Sequence, residues 1–223
     1  MNRDILYKKD SSANLKEKRV LYSLAKSCPK ETVIVEIGSW KGLSTIVLAK
    51  GAQKGNKNKI YAVDPHTGSP EHHKKLGAVW TFDEFKKNIK KAKVQKDIFP
   101  IVKTSEEAEK EWGDKPIGLL FIDGDHSYKM ALNDFLLWEK YLVHGGVIAF
   151  HDTIAGGAKK VVNQVLYNGK KFTKIKMISS LTLAKKIYKL SILEKILNRV
   201  HLIKKEFILF IRKLFYLSKG VRY

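Results

Sequence analysis

From Thr32 onward, the sequence alternates short apolar runs with longer amphipathic segments. The runs are rich in valine and isoleucine, and most are bounded by glycine, proline or aspartate. Short runs of this kind predict strands that are buried on both faces, as in a parallel sheet. The runs are Thr32–Ile37, Lys59–Val63, Ile98–Val102, Ile117–Ile122 and Gly146–Phe150.

Segments with helical spacing follow each of these runs. They are Lys41–Lys50, Thr81–Ala92, Ser105–Trp112, Tyr128–Tyr141 and Gly157–Leu166. Consecutive strand–helix units predict a doubly wound α/β fold. Two further segments, 171–180 and 181–186, predict a pair of closing strands, which gives a mostly parallel seven-stranded sheet. A helix is also predicted over Ser11–Ser27.

The last part of the chain, Ile187–Tyr223, has a different pattern. Apolar side chains recur there at spacings of three and four, which predicts one long amphipathic helix or two shorter ones. From Lys185 to Tyr223 there are eleven Lys and Arg residues against two Glu. We therefore expect an N-terminal helical segment over residues 1–30, an α/β domain over 31–186 and a basic amphipathic helical tail over 187–223.

The net charge of the chain indicates which classes of partner it could bind. There are 43 Lys and Arg residues against 22 Asp and Glu, for a formal net charge of +21. This excess predicts attraction to polyanions, whether nucleic acid, anionic lipid or phosphorylated substrates. Cys28 is the only cysteine, which excludes an intrachain disulfide and a thiolate zinc site. The polar N-terminus and the lack of a long apolar run predict a cytoplasmic protein.

Residues suited to binding a ligand follow the first two predicted strands. Glu36, Gly38 and Gly42 form an acid-x-Gly-x-x-x-Gly turn that enters a helix. Glycines let the backbone approach a ligand closely, and the helix N-terminus offers free N–H groups to an anion. Asp64 ends the second strand, where an acid is well placed to bind the hydroxyls of a ribose. The alternative interpretations are a glycine turn without a ligand and a capping aspartate.

Two polar clusters follow the fourth and fifth predicted strands. Asp123, Asp125 and His126 come after one strand, and His151 and Asp152 come after the other. Ligands bind at this edge of open α/β sheets. The two clusters could hold one divalent cation, act as general acid and base, or do both.

Taken together, these segments resemble the class I S-adenosylmethionine-dependent methyltransferases. The resemblance covers roughly residues 30–185 and is carried by the glycine turn, Asp64 and the segments FIDGDHSY and GGVIAFHD. Within that superfamily, the chain is most similar to the small-molecule and sugar O-methyltransferase-like group, which carries IDGDHSY and GGxxxxHD segments. The resemblance implies a Rossmann-like fold and S-adenosylmethionine as cofactor. It also implies methyl transfer to a hydroxyl of a small molecule, a sugar or a lipid-linked glycan.

The resemblance also implies which residues bind the cofactor. These are Glu36, Gly38, Ser39, Gly42 and Ser44 at the methionine part, Asp64 at the ribose hydroxyls, Pro65, His66 and Ser105 near the adenine, and Asp123 beside the sulfonium.

In metal-dependent relatives, magnesium is held by an acid after the fourth strand and two polar residues after the fifth. The matching residues here are Asp123, His151 and Asp152. His151 stands where an acid is usual, and Mg²⁺ prefers oxygen ligands, so the sequence leaves magnesium open. Transfer to a hydroxyl needs a base or a metal to take its proton. Asp123, His126 and His151 are the candidate catalytic residues, with the two histidines as candidate bases.

The long segment His66–Thr81 is expected to form a lid over the acceptor, with Glu71, His72, His73 and Trp80 as its polar and aromatic side chains. Two other functions stay open. One is an RNA or protein methyltransferase that uses the basic surface, and the other is a non-catalytic binding module with the same fold. Adenine N6 and cytosine C5 transfer are disfavoured, because Asp-Gly-Asp-His follows the fourth strand and Cys28 precedes the cofactor turn.

Three interpretations fit the tail. Its apolar stripe and basic flanks suit a helix lying in the interface of an anionic membrane, as in a peripheral protein of the inner membrane face. Alternatively, the stripe packs on the domain or on a second subunit in a homodimer. A nucleic-acid-binding arm is the least favoured, because the apolar stripe is so continuous.

Overall fold

The computed structural model describes residues 15–69, 73–74 and 77–218, with side chains up to Phe215. Seven strands form one sheet within these residues: β1 (Val33–Ile37), β2 (Ile60–Val63), β3 (Ile98–Ile101), β4 (Ile117–Ile122), β5 (Leu142–Phe150), β6 (Phe172–Ile178) and β7 (Leu181–Lys186). Their order in the sheet is β3-β2-β1-β4-β5-β7-β6. Strands β1 to β5 are parallel, and β7 is antiparallel to both neighbours. The predicted mostly parallel seven-stranded sheet is therefore confirmed.

Helices cover both faces of this sheet. They are α1 (Leu15–Lys26), α2 (Leu43–Gln53), α3 (Phe82–Lys91), α4 (Ser105–Lys110), α5 (Tyr128–Trp138), α6 (Gly156–Val162) and α7 (Ile192–Ser218). A 3₁₀ turn (Glu139–Tyr141) follows α5, and a π-helical turn (Asn163–Tyr167) follows α6.

The core consists of two layers of side chains, one on each face of the sheet. Every residue of β4 is buried, because both of its faces are covered. Side chains alternate along a strand, so Leu120 and Ile122 join one layer while Leu119 and Phe121 join the other. The second layer also includes Leu21 of α1, which fixes the N-terminal helix onto the domain.

The direction in which the chain is wound reverses between β1 and β4. Strands β2 and β3 extend the sheet on one side of β1, and β4 to β7 extend it on the other. In open α/β sheets, ligands bind beyond the carboxyl ends of the strands at such a switch point. The fold therefore places the predicted binding turn and the two polar clusters at one edge.

Several element boundaries differ from those expected. Strand β5 begins at Leu142 rather than Gly146, since the strand continues through Gly145, which has a φ of 80°. A register shift in the pairing of β4 with β5 accommodates this irregular stretch. The N-terminal helix is described from Leu15 onward, and Ser11–Asn14 lie outside the described residues.

Helix α7 is one continuous helix of 27 residues. Its apolar stripe is exposed, with side chains between 45% and 77% accessible from Ile192 to Phe215. The expectation that the stripe packs on the domain is therefore wrong for the described residues. Among them, no helix is both long enough and apolar enough to cross a membrane.

Candidate active site

The turn after β1 is held against the loop after β4. Gly38 has a φ of 86°, and a Cβ there would lie 2.3 Å from the carbonyl oxygen of Asp123. Only glycine allows both this φ and this approach. The Asp123 N–H in turn donates to Ile37 O at 2.8 Å. The predicted cofactor turn and the predicted acid after β4 are thus adjacent.

Gly42 opens helix α2 at the end of this turn. It is the N-cap residue, with a φ of 84°, and no side chain caps the helix. The first N–H groups of α2 therefore keep their capacity to bind an anion. An anion such as the carboxylate of the methionine part of the cofactor would fit there.

The buried carboxyl group of Glu36 lies beneath the turn. Its Oε2 accepts a hydrogen bond from the Thr45 hydroxyl, and Ser44 also donates to this carboxyl group. Burial raises the pKa of Glu36 to about 8, although these hydrogen bonds oppose the shift. Within the described part of the chain, Glu36 Oε1 and Ser39 Oγ are buried without a hydrogen-bond partner.

These two unpartnered oxygens fit the predicted cofactor. Buried polar atoms normally have partners, so an acceptor and a hydroxyl left over at one turn indicate a polar ligand. An amino-acid ammonium group suits the Glu36 carboxylate, and the partner carboxylate suits the N-terminus of α2. The residues present therefore fit the methionine part of S-adenosylmethionine.

Asp64, at the end of β2, holds two turns together. Its Oδ2 accepts from Trp40 N and its Oδ1 from His66 N, both at 2.6 Å. Trp40 and His66 have φ values of 46° and 59°, a conformation that side chains disfavour. A carboxylate can accept about four hydrogen bonds, which leaves capacity for the two ribose hydroxyls.

Two of the residues predicted to lie near the adenine, Pro65 and His66, differ in burial. The ring of His66 is fully buried, with Nδ1 2.9 Å from Thr81 Oγ1 and its face against Phe82 and Phe85. Burial lowers its pKa, although Asp64 opposes this shift. Among the described residues, its Nε2 has no hydrogen-bond partner, and the contact of His66 and the half-buried Pro65 with the adenine stays a prediction.

Ser105 begins helix α4, after β3. Its hydroxyl accepts from Trp138 Nε1 at 2.9 Å and is hydrogen-bonded to Asp134. These contacts fix the start of α4 against α5. The predicted contact of Ser105 with the adenine edge stays a prediction.

At the end of β5, His151 is enclosed between two carboxylates. Its Nδ1 lies 2.9 Å from Asp123 Oδ1, and its Nε2 lies 3.5 Å from Glu17 Oε2 on α1. Burial alone would lower the pKa of His151, but the hydrogen bonds of Asp123 and Glu17 outweigh it and raise the pKa to about 10. The ring is therefore an imidazolium at neutral pH, with neither nitrogen left to take a proton.

His126 occupies the open side of the same cluster. Its Nε2 lies 3.3 Å from Asp152 Oδ2, and both side chains are nearly half exposed. Asp152 has a φ of 50° and also reaches His151 Nδ1 at 3.5 Å. The side chain of Asp125 makes a hydrogen bond within its own loop, where its Oδ1 accepts from Ser127 N at 2.7 Å.

The cluster brings possible metal ligands close together. One ligand atom each from Asp123, His126 and His151 lies within 4.8 Å of the other two. A histidine must be neutral to bind a metal, whereas both nitrogens of His151 face acids. Two carboxylates and one imidazole depart from the oxygen ligands that Mg²⁺ prefers, and the predicted magnesium set Asp123, His151 and Asp152 stays a prediction.

Comparison with known proteins agrees with this geometry. Residues 35–153, more than half of the chain, match the family described as "Methyltransferase domain". The chain belongs to this methyltransferase family. Uncharacterized protein R132 of Acanthamoeba polyphaga mimivirus is 34% identical over 137 residues, which are 60% of this chain and 57% of that protein. The chain thus matches under two thirds of that relative's length.

Solved structures share the fold. The O-methyltransferase TomG of Streptomyces achromogenes, in complex with S-adenosylmethionine, has a TM-score of 0.60 at 16% identity, covering 81% of this chain and 83% of that one. An O-methyltransferase from Bacillus cereus has a TM-score of 0.58 at 17% identity, covering 82% and 86%. At such identities the likeness concerns the fold alone. The family match confirms the expected methyltransferase domain, and the structural likeness confirms the expected Rossmann-like methyltransferase fold.

Two buried acids of this methyltransferase were not predicted from sequence. Glu17 also accepts from Ser180 N and Oγ, both at 2.7 Å, and its spacing of four and eight from Leu21 and Ala25 was the available signal. Asp134 lies beneath the loop after β4, where burial raises its pKa to about 6, although Ser105 opposes the shift.

The predicted lid over 66–81 is only partly described. Glu71 and His72 lie outside the described residues. The base of the segment is closed by Thr81 N, which donates to His66 O at 3.0 Å. Trp80 is 56% exposed near its end, and its Nε1 donates to Asp83. Its role over the acceptor stays a prediction.

Proposed function

We propose that this methyltransferase transfers the methyl group of S-adenosylmethionine to a hydroxyl oxygen of a small molecule, a sugar or a glycan. The observation that carries the proposal is the half-exposed pair of His126 and Asp152, beside the turn that fits the cofactor. The structural neighbours TomG and the Bacillus cereus enzyme are O-methyltransferases, which supports the choice of oxygen as acceptor.

The cofactor would be held by this chain's own turn residues. Glu36 takes the ammonium group, the N-terminus of α2 takes the carboxylate, and Asp64 takes the ribose hydroxyls. When bound, S-adenosylmethionine would supply a methyl group on a sulfonium, whose sulfur is a strong leaving group. The protein itself must then remove the proton of the acceptor hydroxyl.

His126 is the residue that takes this proton. With Nε2 directed at Asp152, its Nδ1 is left to accept from the acceptor hydroxyl, and Asp152 stabilises the imidazolium that forms. His126 faces the cleft, whereas His151 is buried, so only His126 can meet an acceptor. His151 acts instead as a positioning residue that fixes the carboxylate of Asp123.

We infer that the transfer is metal-independent, and the charge balance of the same cluster supports this inference. The imidazolium of His151 balances Asp123 and Asp152, which leaves no need for a divalent cation between them. The net charge of +21 favours an acceptor that carries phosphate, such as a nucleotide-linked or lipid-linked sugar. Methylation of RNA or protein is the competing function, and it predicts affinity that falls steeply with salt.

The test is a transfer assay with labelled cofactor against free, nucleotide-linked and lipid-linked sugars. His126→Gln should lower kcat by about 100-fold or more while cofactor binding stays unchanged, since general base catalysis contributes 10²–10⁴-fold. His144→Gln, at the opposite edge of the sheet, is the matched control and should keep full activity. Full activity of His126→Gln, or transfer to nitrogen only, would overturn the proposal.

A further inference from the structure

Helix α7 is attached to the domain through a narrow face that mixes polar and apolar side chains, since Leu202 and Leu209 pack there beside Asn198 and Lys205. Asn198 is buried and donates to Phe172 O at 2.8 Å. Lys205 is also buried, and its Nζ donates to Asn163 Oδ1 at 2.9 Å. Glu206 accepts from Lys159 Nζ at 2.7 Å. An amphipathic helix of a globular protein usually packs with its wide apolar face inward, whereas most apolar side chains of α7 lie outside this contact.

The apolar stripe points directly away from the domain. At 3.6 residues per turn, the line Asn198, Leu202, Lys205 and Leu209 lies on the side opposite to the line through Val200, Ile203 and Phe207. The exposed stripe comprises Ile192, Leu193, Ile196, Leu197, Val200, Ile203, Phe207, Phe210, Ile211, Leu214 and Phe215. A row of exposed apolar side chains over so many turns is rare on a monomer surface and marks an interaction site.

The helix also rises to the edge of the sheet that carries the active site. Asn198 lies at the start of β6, whereas Glu206 lies beside Lys159 in α6, so α7 runs antiparallel to α6. Helix α6 starts at the carboxyl end of β5, close to His126. From Glu206, the helix continues to Ser218 for about 18 Å, which takes it past the start of α6.

Basic side chains border the stripe. They are Lys195, Arg199, Lys204, Arg212 and Lys213, and all are exposed. The two acids of α7 are engaged, since Glu206 pairs with Lys159 and Glu194 caps the helix start at Ser191. Apolar side chains between flanking lysines and arginines are the composition of helices that lie in the interface of anionic membranes.

We propose that α7 binds the surface of an anionic bilayer, with its apolar stripe in the headgroup boundary and its basic side chains on the lipid phosphates. A second copy of this chain fits the same stripe poorly, because a symmetric contact would bring the basic flanks of both helices together. Nucleic acid fits it poorly as well, since it would leave the apolar side chains in water. The proposal concerns α7 alone and does not depend on which acceptor is methylated.

The experiment is co-sedimentation of the full chain with vesicles of phosphatidylcholine alone or with added phosphatidylglycerol. We expect strong binding to the anionic vesicles only, weakened by salt. Phe207→Glu should reduce the partition coefficient by about tenfold or more, because one buried apolar side chain is lost and an acid gained. Leu136→Glu is the matched control, with the same exposure on α5, and should bind like the wild type.

Folding and self-association are checked on the same proteins. Melting temperature and cofactor binding should be equal in both variants, which separates loss of the surface from loss of the fold. Equal vesicle binding by Phe207→Glu and wild type would overturn the proposal, as would no binding to anionic vesicles. A dimer by light scattering that Phe207→Glu dissociates, without vesicle binding, would assign the stripe to a second copy and also overturn it.

Discussion

Glu17 and His151 face one another in the interior of the protein, with Glu17 Oε2 3.5 Å from His151 Nε2. Glu17 belongs to the N-terminal helix, and His151 ends the fifth strand. The other nitrogen of the same imidazolium contacts Asp123, so a row of carboxylate, imidazolium and carboxylate extends from α1 to the cleft. The N-terminal helix is thereby part of the active-site support.

Replacing Glu17 with Gln should weaken the contact with His151 while keeping a hydrogen-bond acceptor for Ser180. The pKa of His151 should fall from about 10, because one of its two principal carboxylate partners is lost. The free energy of unfolding should drop by about 1–3 kcal/mol, as for a hydrogen bond to a charged group. NMR titration of the His151 ring and urea unfolding measure the two effects.

The pH dependence of stability provides a second test of the contact between Glu17 and His151. The pKa of His151 in the folded state lies above the ordinary value of 6.5, so its stabilising contribution is complete below pH 6.5 and lost as pH rises through 10. Glu17→Gln should flatten this decline. The control is Glu106→Gln, an exposed partner of Lys110, and an identical profile in Glu17→Gln would contradict the assignment.

Cofactor affinity should increase as pH rises toward 8. Glu36 is protonated below about pH 8 in the unliganded protein, whereas an ammonium group prefers the carboxylate. Binding therefore releases a proton, and the dissociation constant should fall by up to about tenfold per pH unit in this range. Calorimetry in buffers of different ionisation enthalpy counts the proton, and Glu36→Gln should abolish the dependence.

Asp64→Ala should weaken cofactor binding by about 100-fold or more. The change removes the acceptor of two charge-assisted backbone hydrogen bonds as well as the expected ribose contacts, each worth about 1.5–3 kcal/mol. Calorimetric titration with S-adenosylmethionine measures the loss. Asp114→Ala, at an exposed position, should bind normally, and an equal loss in both would contradict a specific role for Asp64.

Magnesium should have little effect on this methyltransferase. Chelator or millimolar Mg²⁺ should change neither the melting temperature nor the rate of transfer by more than about twofold, because the imidazolium of His151 lies where the cation would bind. A clear magnesium-dependent rise in melting temperature that Asp123→Asn removes would contradict this expectation.

The sheet was predictable because its strands are short apolar runs bounded by turn residues, as at Ile117–Ile122. The carboxyl-edge residues were predictable for the same reason, since parallel strands bring Glu36, Asp64 and Asp123 to one side. The orientation of α7 was not predictable, because an amphipathic pattern does not say which face packs. The roles of Glu17 and Asp134 were hidden as well, since an acid on a helix is usually exposed.

The contact between Glu17 and Ser180 has a consequence for how the protein is made. These residues are 163 positions apart, and Ser180 lies at the turn between β6 and β7. A nascent chain can complete the enclosure of His151 only after almost the whole α/β domain has left the ribosome. The N-terminal helix is synthesised early, but its contact with Ser180 can form only after β6 has been synthesised. Assembly of the active site is therefore a late event in folding.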